Sequence, residues 1–492
     1  MEFDEFKKLS KKYNLIPVYE KYTADLFTPV SAYLNIRDKE NDSFLLESVE
    51  GIGRLARYSF IGSNPKLKII GKGHSITVKE SGKEKTIEGN ITDYIQNFIK
   101  DFNQPKAPDL PAFTGGLVGY FGFETMNHIE PVIEFDGIEA FDAPEFYFGL
   151  YDTIAAFDHF SHKLIIIHNV NVNLFPTPEE AYKSAKEKIR AFNKQLRKAA
   201  LYSLKFKFID EINIEDDDSD FIQLVSDAKK HIYEGDVFQL VLSKRFGAEF
   251  EGDSINVYRA LRIINPSPYM YFMEFEDDLK IIGTSPEDLL RVTDKKATIL
   301  PIAGTRKRGA DEIEDAALEK ELLEDPKEIA EHTMLVDLAR NDLGRVCDYD
   351  TVEVTESFKV HKFSHVMHIV SRVEGTLKDS CDCIDALKAS FPAGTVSGAP
   401  KIKAVQLINK YEPLKRNIYS GAIGYIDFGG NLDLCIAIRT LFAKGNKIYW
   451  QAGAGIVADS KPELELKEIE NKSAVLKSAL KKAEAIDEDF SY

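Results

Sequence analysis

YDTIAAFDHFSHKLIIIHNV, residues Tyr151 to Val170, carries two apolar runs on either side of the polar segment DHFSHK. Each run is strand length, and a short polar link between two such runs reads as a hairpin, so these strands are expected to pair antiparallel. Upstream, KLKIIGKGHSITVKE (66–80) alternates apolar and polar residues, and GGLVGYFGFE (115–124) spaces glycines through aromatics, which reads as a strand pair with close backbone approach. Residues 14–172 are therefore expected to be mostly β. From Pro176 to about Leu201 the pattern turns helical, with Thr177-Pro178 as cap and first residue. The acidic run over 209–220 reads as a joint between an N-terminal region, 1–208, and a region over 221–492 in which helices and strands mix. No internal repeat is visible. Grouped, hairpin-linked strands place the chain in the α+β class with antiparallel sheets.

The charge balance excludes some functions. With 492 residues and a net charge of −17, the surface is poorly suited to nucleic acid or anionic membrane. The longest apolar runs, such as LIIIHNV (164–170), are far shorter than a membrane span. The start, MEFDEFKKLSKKYN, lacks the apolar core of a signal peptide. Cys347, Cys381, Cys383 and Cys435 form no C-x-x-C pair, so no disulfide framework is expected and a cytoplasmic location is the default.

Three stretches carry chemistry. EDPKEIAEHTMLVDLARNDLGRV (324–346) has helical period, with Asp325-Pro326 as its start and Gly344 as its stop. Its Glu328, Glu331, Asp337 and Asp342 read either as a surface lattice of ion pairs or, given the Met, Leu and Val among them, as buried carboxylates that need a cation. In YWQAGAGIVADSKPELELKEIENKSAVL (449–476), Gly453-Ala454-Gly455 reads as a row of backbone amides able to cradle a carboxylate. Pro462 then opens a helix with Glu465, Glu468 and Lys472 on one face. Carboxylates three apart repel unless a cation lies between them, and all-oxygen ligation suits magnesium. In FPAGTVSGAPKIKAVQLI (391–408), Gly394, Thr395 and Ser397 precede the helix opened by Pro400-Lys401, which reads as an anion site or as an ordinary capped loop. LPIAGTRKRG (300–309) adds a bend at Gly304 beside Thr305 and the cations Arg306, Lys307 and Arg308, which could face an acidic small molecule. Singly, Glu287, His368, Tyr419 and Arg439 read as structural. Together these stretches suggest a magnesium enzyme acting on a small polycarboxylate.

In order along the chain, LLESVEGIGRLARYSFIG (45–62), NPSPYMYF (265–272), GTSPEDLL, PIAGTRKRG, AEHTMLVDLARNDLGRV, FPAGTVSGAPK, YSGAIGY, CIAIRT and QAGAGIVADSKPELELKEIENK resemble the chorismate-utilising enzymes, and within them the anthranilate synthase branch. The resemblance covers nearly the whole chain. It implies two antiparallel sheets packed orthogonally between helices, so that 1–208 and 221–492 share one core. It implies magnesium held by Glu331 and Glu468, with Glu328 and Glu465 assisting through water. Gly394, Thr395 and Lys472 would serve the ring carboxylate end of chorismate, Tyr419, Arg439 and the amides of Gly453, Ala454 and Gly455 would hold the enolpyruvyl group, and Thr305 would also bind substrate. Glu287 matches the general acid for the C4 hydroxyl, and His368 the residue of pyruvate elimination.

Relatives that add water carry a lysine where this chain has Gln239, and relatives that make 4-amino-4-deoxychorismate carry one where it has Ala303. With both positions inert, the implied nucleophile is external ammonia attacking C2, giving anthranilate and pyruvate in the first step of tryptophan biosynthesis. No cysteine elbow of a glutaminase is present, which implies a hetero-oligomer with a separate glutamine amidotransferase subunit. Glu47, Ser48, Pro268, Tyr269 and Met270 match the family's tryptophan-binding, feedback-inhibitory segments. The competing readings are an aminodeoxychorismate synthase large subunit, which Ala303 argues against, an enzyme that stops at 2-amino-2-deoxyisochorismate, and a non-catalytic tryptophan sensor.

Overall fold

A computed structural model of the chain describes residues 1–38, 40–48, 57–198, 202, 204–212, 214, 218–363 and 366–487. Two twelve-stranded sheets dominate it. The first runs from edge to edge through Leu15–Thr23, Lys163–Asn171, Thr153–Asp158, Tyr58–Ser63, Ser43–Glu47, Tyr269–Glu274, Leu279–Ser285, Thr440–Lys444, Lys447–Ile456, Gln239–Gly252 and Phe206–Ile212, with the two-residue strand Gly398–Ala399 added beside Gln239. The second runs through Ile302–Lys307, Val366–Thr376, Lys296–Ile299, Asp288–Thr293, Leu432–Ile436, Ala422–Asp427, Gly116–Phe121, Phe146–Tyr151, Leu67–Lys72, Ser75–Glu80 and Lys83–Glu88, with Glu353–Lys362 added on Val366–Thr376. The chain is α+β, and both sheets draw strands from either side of the acidic run.

The hairpin at DHFSHK forms as expected, with Lys163 opposite Asp158. Its apolar side chains face two ways. Ile165 and Ile167 join an aromatic-rich layer with Phe44, Phe113, Tyr147, Tyr151, Ile423 and Phe442, which come from both sheets, so the sheets are packed face to face. Leu164 and Ile166 point to the other side, against Ala181, Ala185 and Ile189 of the helix Pro178–Leu196. That helix is capped by the Thr177 hydroxyl, which accepts from the Glu180 amide at 3.2 Å. Cys347, Cys381, Cys383 and Cys435 are all free thiols.

Four local expectations are corrected. GGLVGYFGFE is one strand, Gly116–Phe121, followed by a helical turn, because it pairs with distant partners on both sides and not with itself. Residues 209–212 of the acidic run belong to the edge strand Phe206–Ile212, and a helix begins at Asp218; residues 213 and 215–217 lie outside the described residues. An edge strand facing water on one side tolerates the charges that suggested a joint. Gly344 does not stop the 324–346 helix, which runs Pro326–Val346, since Leu343 still accepts from the Cys347 amide at 2.8 Å. Its start is as read: the Asp325 carboxylate accepts from the Lys327 and Glu328 amides. Finally, Gly453-Ala454-Gly455 lies within the strand Lys447–Ile456, opposite Ser243, Leu242 and Val241. Amides in an antiparallel strand point alternately to the two sides, so they do not form a continuous row.

Candidate active site

Two crossovers between the sheets meet at one place. The chain leaves the first sheet at Ser285 and enters the second at Asp288, which puts Glu287 between them. It leaves the second at Ile436 and enters the first at Thr440, which puts Arg439 in the other gap, with its backbone in the left-handed region at φ +49°. The crossovers bind each other: Ser285 Oγ donates to the Ile436 carbonyl at 2.7 Å, the Ile436 amide to the Glu287 carbonyl at 3.1 Å, and the Thr284 amide to the Arg439 carbonyl at 3.2 Å. Arg439 is further held by Asn265, whose Oδ1 accepts from Nη1 at 3.3 Å.

Glu287 is the most perturbed acid of this cluster. Burial pushes its carboxyl up to about 8; the Thr395 hydroxyl beside it lowers that value, Asp288 raises it, and Lys472 and Arg439 lower it again. At neutral pH the group holds its proton and can give it away. Thr395 is brought there by the short helix Gly394–Ser397. Lys472 arrives from the helix Pro462–Glu484, with Nζ donating to the Gly453 carbonyl at 2.8 Å and paired with Glu468 at 2.7 Å. Gly453 faces Tyr419: a Cβ on it would lie 2.7 Å from the Tyr419 hydroxyl. Gly455 likewise receives the amide group of Gln239, a residue that is 4% exposed and whose Oε1 has no partner among the described residues.

His368 sits on Val366–Thr376 opposite Thr305. Its Nδ1 lies 3.0 Å from the Gly304 carbonyl and 3.0 Å from Thr305 Oγ1. A carbonyl can only accept, so Nδ1 carries the proton and Nε2 is the basic nitrogen. Burial lowers the pKa of His368, which keeps it neutral. The bend at Gly304 is a β-bulge between Ala303 and Thr305 with φ +65°, a conformation that favours glycine. The two arginines beyond it are occupied by carboxylates of the protein. Arg306 binds Glu321, Asp325 and Glu328, and Arg308 binds Asp315. Two acidic helices lie beside the strand and neutralise it, which sequence-local reading could not show.

The four glutamates expected at a metal come from two helices. Glu328 and Glu331 lie on Pro326–Val346, and Glu465 and Glu468 on Pro462–Glu484. Burial raises the Glu331 carboxyl, with Glu328 and Glu468 adding to the rise; burial also raises Glu465, and Glu468 adds to it. Carboxylates on the two helices therefore repel one another, a repulsion that a hard cation with oxygen ligands would relieve; here Glu328 is paired with Arg306 at 3.3 Å and Glu468 with Lys472 at 2.7 Å. Among the described residues, the trio whose ligand atoms lie within 4.8 Å of one another is His231, Glu234 and Asp236, which is elsewhere; its imidazole is already bonded to Asp236 and to the Tyr411 hydroxyl.

The segments expected to bind tryptophan adjoin in the first sheet, where Met270 pairs with Glu47. Glu47 is buried and accepts from the Tyr258 hydroxyl at 2.5 Å, with Arg262 at 3.2 Å. Ser48 follows it, its buried hydroxyl without a partner among the described residues, and Pro268 is half-buried before the Tyr269 strand. The Tyr269 hydroxyl is committed to Asp433 and Arg291.

The chain matches the chorismate binding enzyme family over residues 50–478. It belongs to that family. Over 98% of both chains it is 44% identical to anthranilate synthase component 1 of Acetivibrio thermocellus, and over 99% of both it is 42% identical to that of Aquifex aeolicus. The crystal structure of anthranilate synthase component I from Streptococcus pneumoniae superposes with a TM-score of 0.74 at 35% identity, over 94% of this chain and 99% of that one. A menaquinone-specific isochorismate synthase from Escherichia coli, 21% identical with a TM-score of 0.71, shares the fold. As a chorismate binding enzyme, the chain is similar along its full length to relatives that bear the component 1 name. Among the described residues, no helix is long and apolar enough to cross a membrane.

The sequence alone did not single out Asp288 or Asn265 as part of this site. Asp288 is buried with its pKa pushed up to about 7 and stands behind Glu287. Only its adjacency to Glu287 could have drawn attention to it.

Proposed function

We propose that the chain is the chorismate-aminating component of an anthranilate synthase. Ammonia attacks C2 of chorismate, the C4 hydroxyl leaves as water with the proton of Glu287, and pyruvate is then eliminated to give anthranilate. The observation that carries this reading is the pair of unreactive side chains, Gln239 packed against Gly455 and Ala303 on the strand opposite Ile369, at the two positions where relatives place a lysine. Neither can activate water nor attack the ring. The spare, buried Oε1 of Gln239 suits an incoming N–H donor. Arg439 and Tyr419 would bind the enolpyruvyl carboxylate. Neutral His368, with Nε2 basic, would take the C2 proton during elimination. A magnesium ion held by Glu331 and Glu468, with Glu328 and Glu465 outside them, would neutralise the ring carboxylate.

The relatives' component 1 name supports a second component, proposed here as a glutamine amidotransferase that delivers ammonia. Tryptophan is proposed as the feedback inhibitor. Supporting this, the helix Ile255–Ile264 holds Glu47 through Tyr258 and Arg262 and is closed by Asn265, the residue that holds Arg439. A ligand that moved Glu47 would thus act on the substrate arginine through one helix. Equal chorismate affinity with and without tryptophan would remove the regulatory part.

The test is incubation of the purified chain with chorismate, magnesium and ammonium at alkaline pH, with products separated by chromatography. Anthranilate plus pyruvate, abolished by EDTA and restored by magnesium, is expected; 4-amino-4-deoxychorismate or isochorismate would overturn the reading of Ala303 and Gln239. For His368→Gln, pyruvate release is expected to fall about a hundredfold, with 2-amino-2-deoxyisochorismate accumulating. Anthranilate formation at the wild-type rate would take His368 out of the elimination.

A further inference from the structure

Four residues after Glu412, the side chain of Arg416 is 1% exposed and entirely committed. Its Nε and Nη2 donate to the two Glu412 carboxylate oxygens at 2.7 and 2.6 Å. The remaining donors go to the Val396 carbonyl at 2.7 Å, the Val241 carbonyl at 2.8 Å and Ser420 Oγ at 3.3 Å. Glu412 Oε1 in turn accepts from both the amide and the hydroxyl of Ser243, each at 2.8 Å.

These partners are the immediate neighbours of the groups around the substrate pocket. Val241 is paired across the sheet with Gly455, and Ser243 with Gly453. Val396 follows Thr395 and Ser420 follows Tyr419, whose ring centroid lies 5.6 Å from the guanidinium. One buried ion pair therefore touches the first-sheet wall, the Thr395 turn and the Tyr419 turn, three segments that have no continuous sheet or helix in common.

We infer that Arg416, clasped by Glu412, is a positioning residue that holds Thr395, Tyr419 and the Gly453–Gly455 strand in the spacing chorismate requires. The inference rests on the pocket being the chorismate site. Stability alone does not explain the pair: a buried ion pair is often no more stable than well-packed apolar side chains of similar volume. What the planar guanidinium supplies is several donors in fixed directions from one rigid group, which a lysine ammonium cannot reproduce. It touches no substrate itself and acts through Tyr419 and the strand.

The test compares wild type, Arg416→Lys, Ser243→Ala, Tyr419→Phe and the Arg416→Lys/Tyr419→Phe double variant. Each is assayed for thermal unfolding and for kcat/KM on chorismate, following whichever product the wild type forms. A product other than anthranilate would thus overturn the proposed function and leave this test intact. Arg416→Lys is expected to fold and to lose about 30-fold or more in kcat/KM. Its loss should shrink in the Tyr419→Phe background, because the two act as a unit. Ser243→Ala, which leaves both charges paired but also frees the buried Gln451 amide that donates to this hydroxyl at 2.8 Å, should still fold, melt a few degrees lower and lose about three- to tenfold. If Arg416→Lys does not fold, Ser243→Ala decides. A folded Arg416→Lys within twofold of wild type, losses that simply multiply with Tyr419→Phe, or, where Arg416→Lys is unfolded, a Ser243→Ala within twofold would each overturn the inference.

Discussion

Glu287→Gln is expected to lower kcat about a thousandfold while leaving the fold intact, because the amide keeps the shape of the carboxyl and removes the proton it donates. The position is hard to bypass. The carboxyl is suspended between two sheet crossovers that bind each other, and burial, with Asp288 behind it, holds its pKa at about 8. Hydroxide is a poor leaving group, so departure from C4 depends on a protonated acid. The wild-type pH profile follows from the same value. Measured at constant free ammonia, kcat/KM for chorismate should be flat below about 8 and fall above it, approaching tenfold per pH unit. Ammonia must be held constant because its own deprotonation raises the rate over the same range. A profile that keeps rising through pH 9 would exclude Glu287 as the acid. The linkage has a definite sign. The folded state holds this proton more tightly than the unfolded chain, whose glutamate titrates near 4.5, so the group costs increasing stability as pH rises from about 4.5 to about 8. Glu287→Gln should therefore melt higher than wild type at pH 8 and above, and the difference should vanish at pH 4.

Gly453→Ala is expected to raise KM for chorismate about a hundredfold. The added methyl would lie 2.7 Å from the Tyr419 hydroxyl and 3.0 Å from the Leu242 carbonyl, so either the tyrosine or the strand must shift. Tyr419 is buried with its ring beside Arg416, and the strand is bound through Ser243 to Glu412, so neither moves freely. Intrinsic strand propensity works the other way, since replacing glycine within a strand relieves roughly 0.5–1 kcal/mol of backbone entropy cost. Forcing the methyl in costs about 1–3 kcal/mol, more than that gain, so the kinetic defect should appear with a lowered but still cooperative urea transition. Gly89→Ala is the control: the nearest atom to its new methyl would be 4.0 Å away, and no kinetic change is expected. An unchanged KM for Gly453→Ala would show that Tyr419 and this strand do not border the substrate.

Local reading succeeded where the deciding interaction lies within a few residues. The DHFSHK hairpin, the Thr177 cap and the Asp325-Pro326 helix start are each settled by hydrogen bonds spanning two to five positions. It failed where a distant partner decides. The Arg306 and Arg308 cations resembled a ligand-facing patch until the helices beside them supplied Glu321, Glu328 and Asp315. The acidic edge strand at 209–212 resembled a joint because its pairing partner, Gln239–Gly252, comes some forty residues later.

The same division runs through the site. From the sequence alone come the antiparallel α+β class, the family resemblance, and the candidate glutamates, arginine, tyrosine and histidine, as well as the inert side chains Gln239 and Ala303. A missing nucleophile is a property of residue identity and needs no coordinates. Only the tertiary structure joins the crossovers at Glu287 and Arg439, buries the acid so that it stays protonated, fixes the tautomer of His368 through the Gly304 carbonyl, and threads Arg416 between three segments. Burial, proton affinity and tautomer depend on what surrounds a group, and here the surroundings come from positions up to about two hundred residues apart.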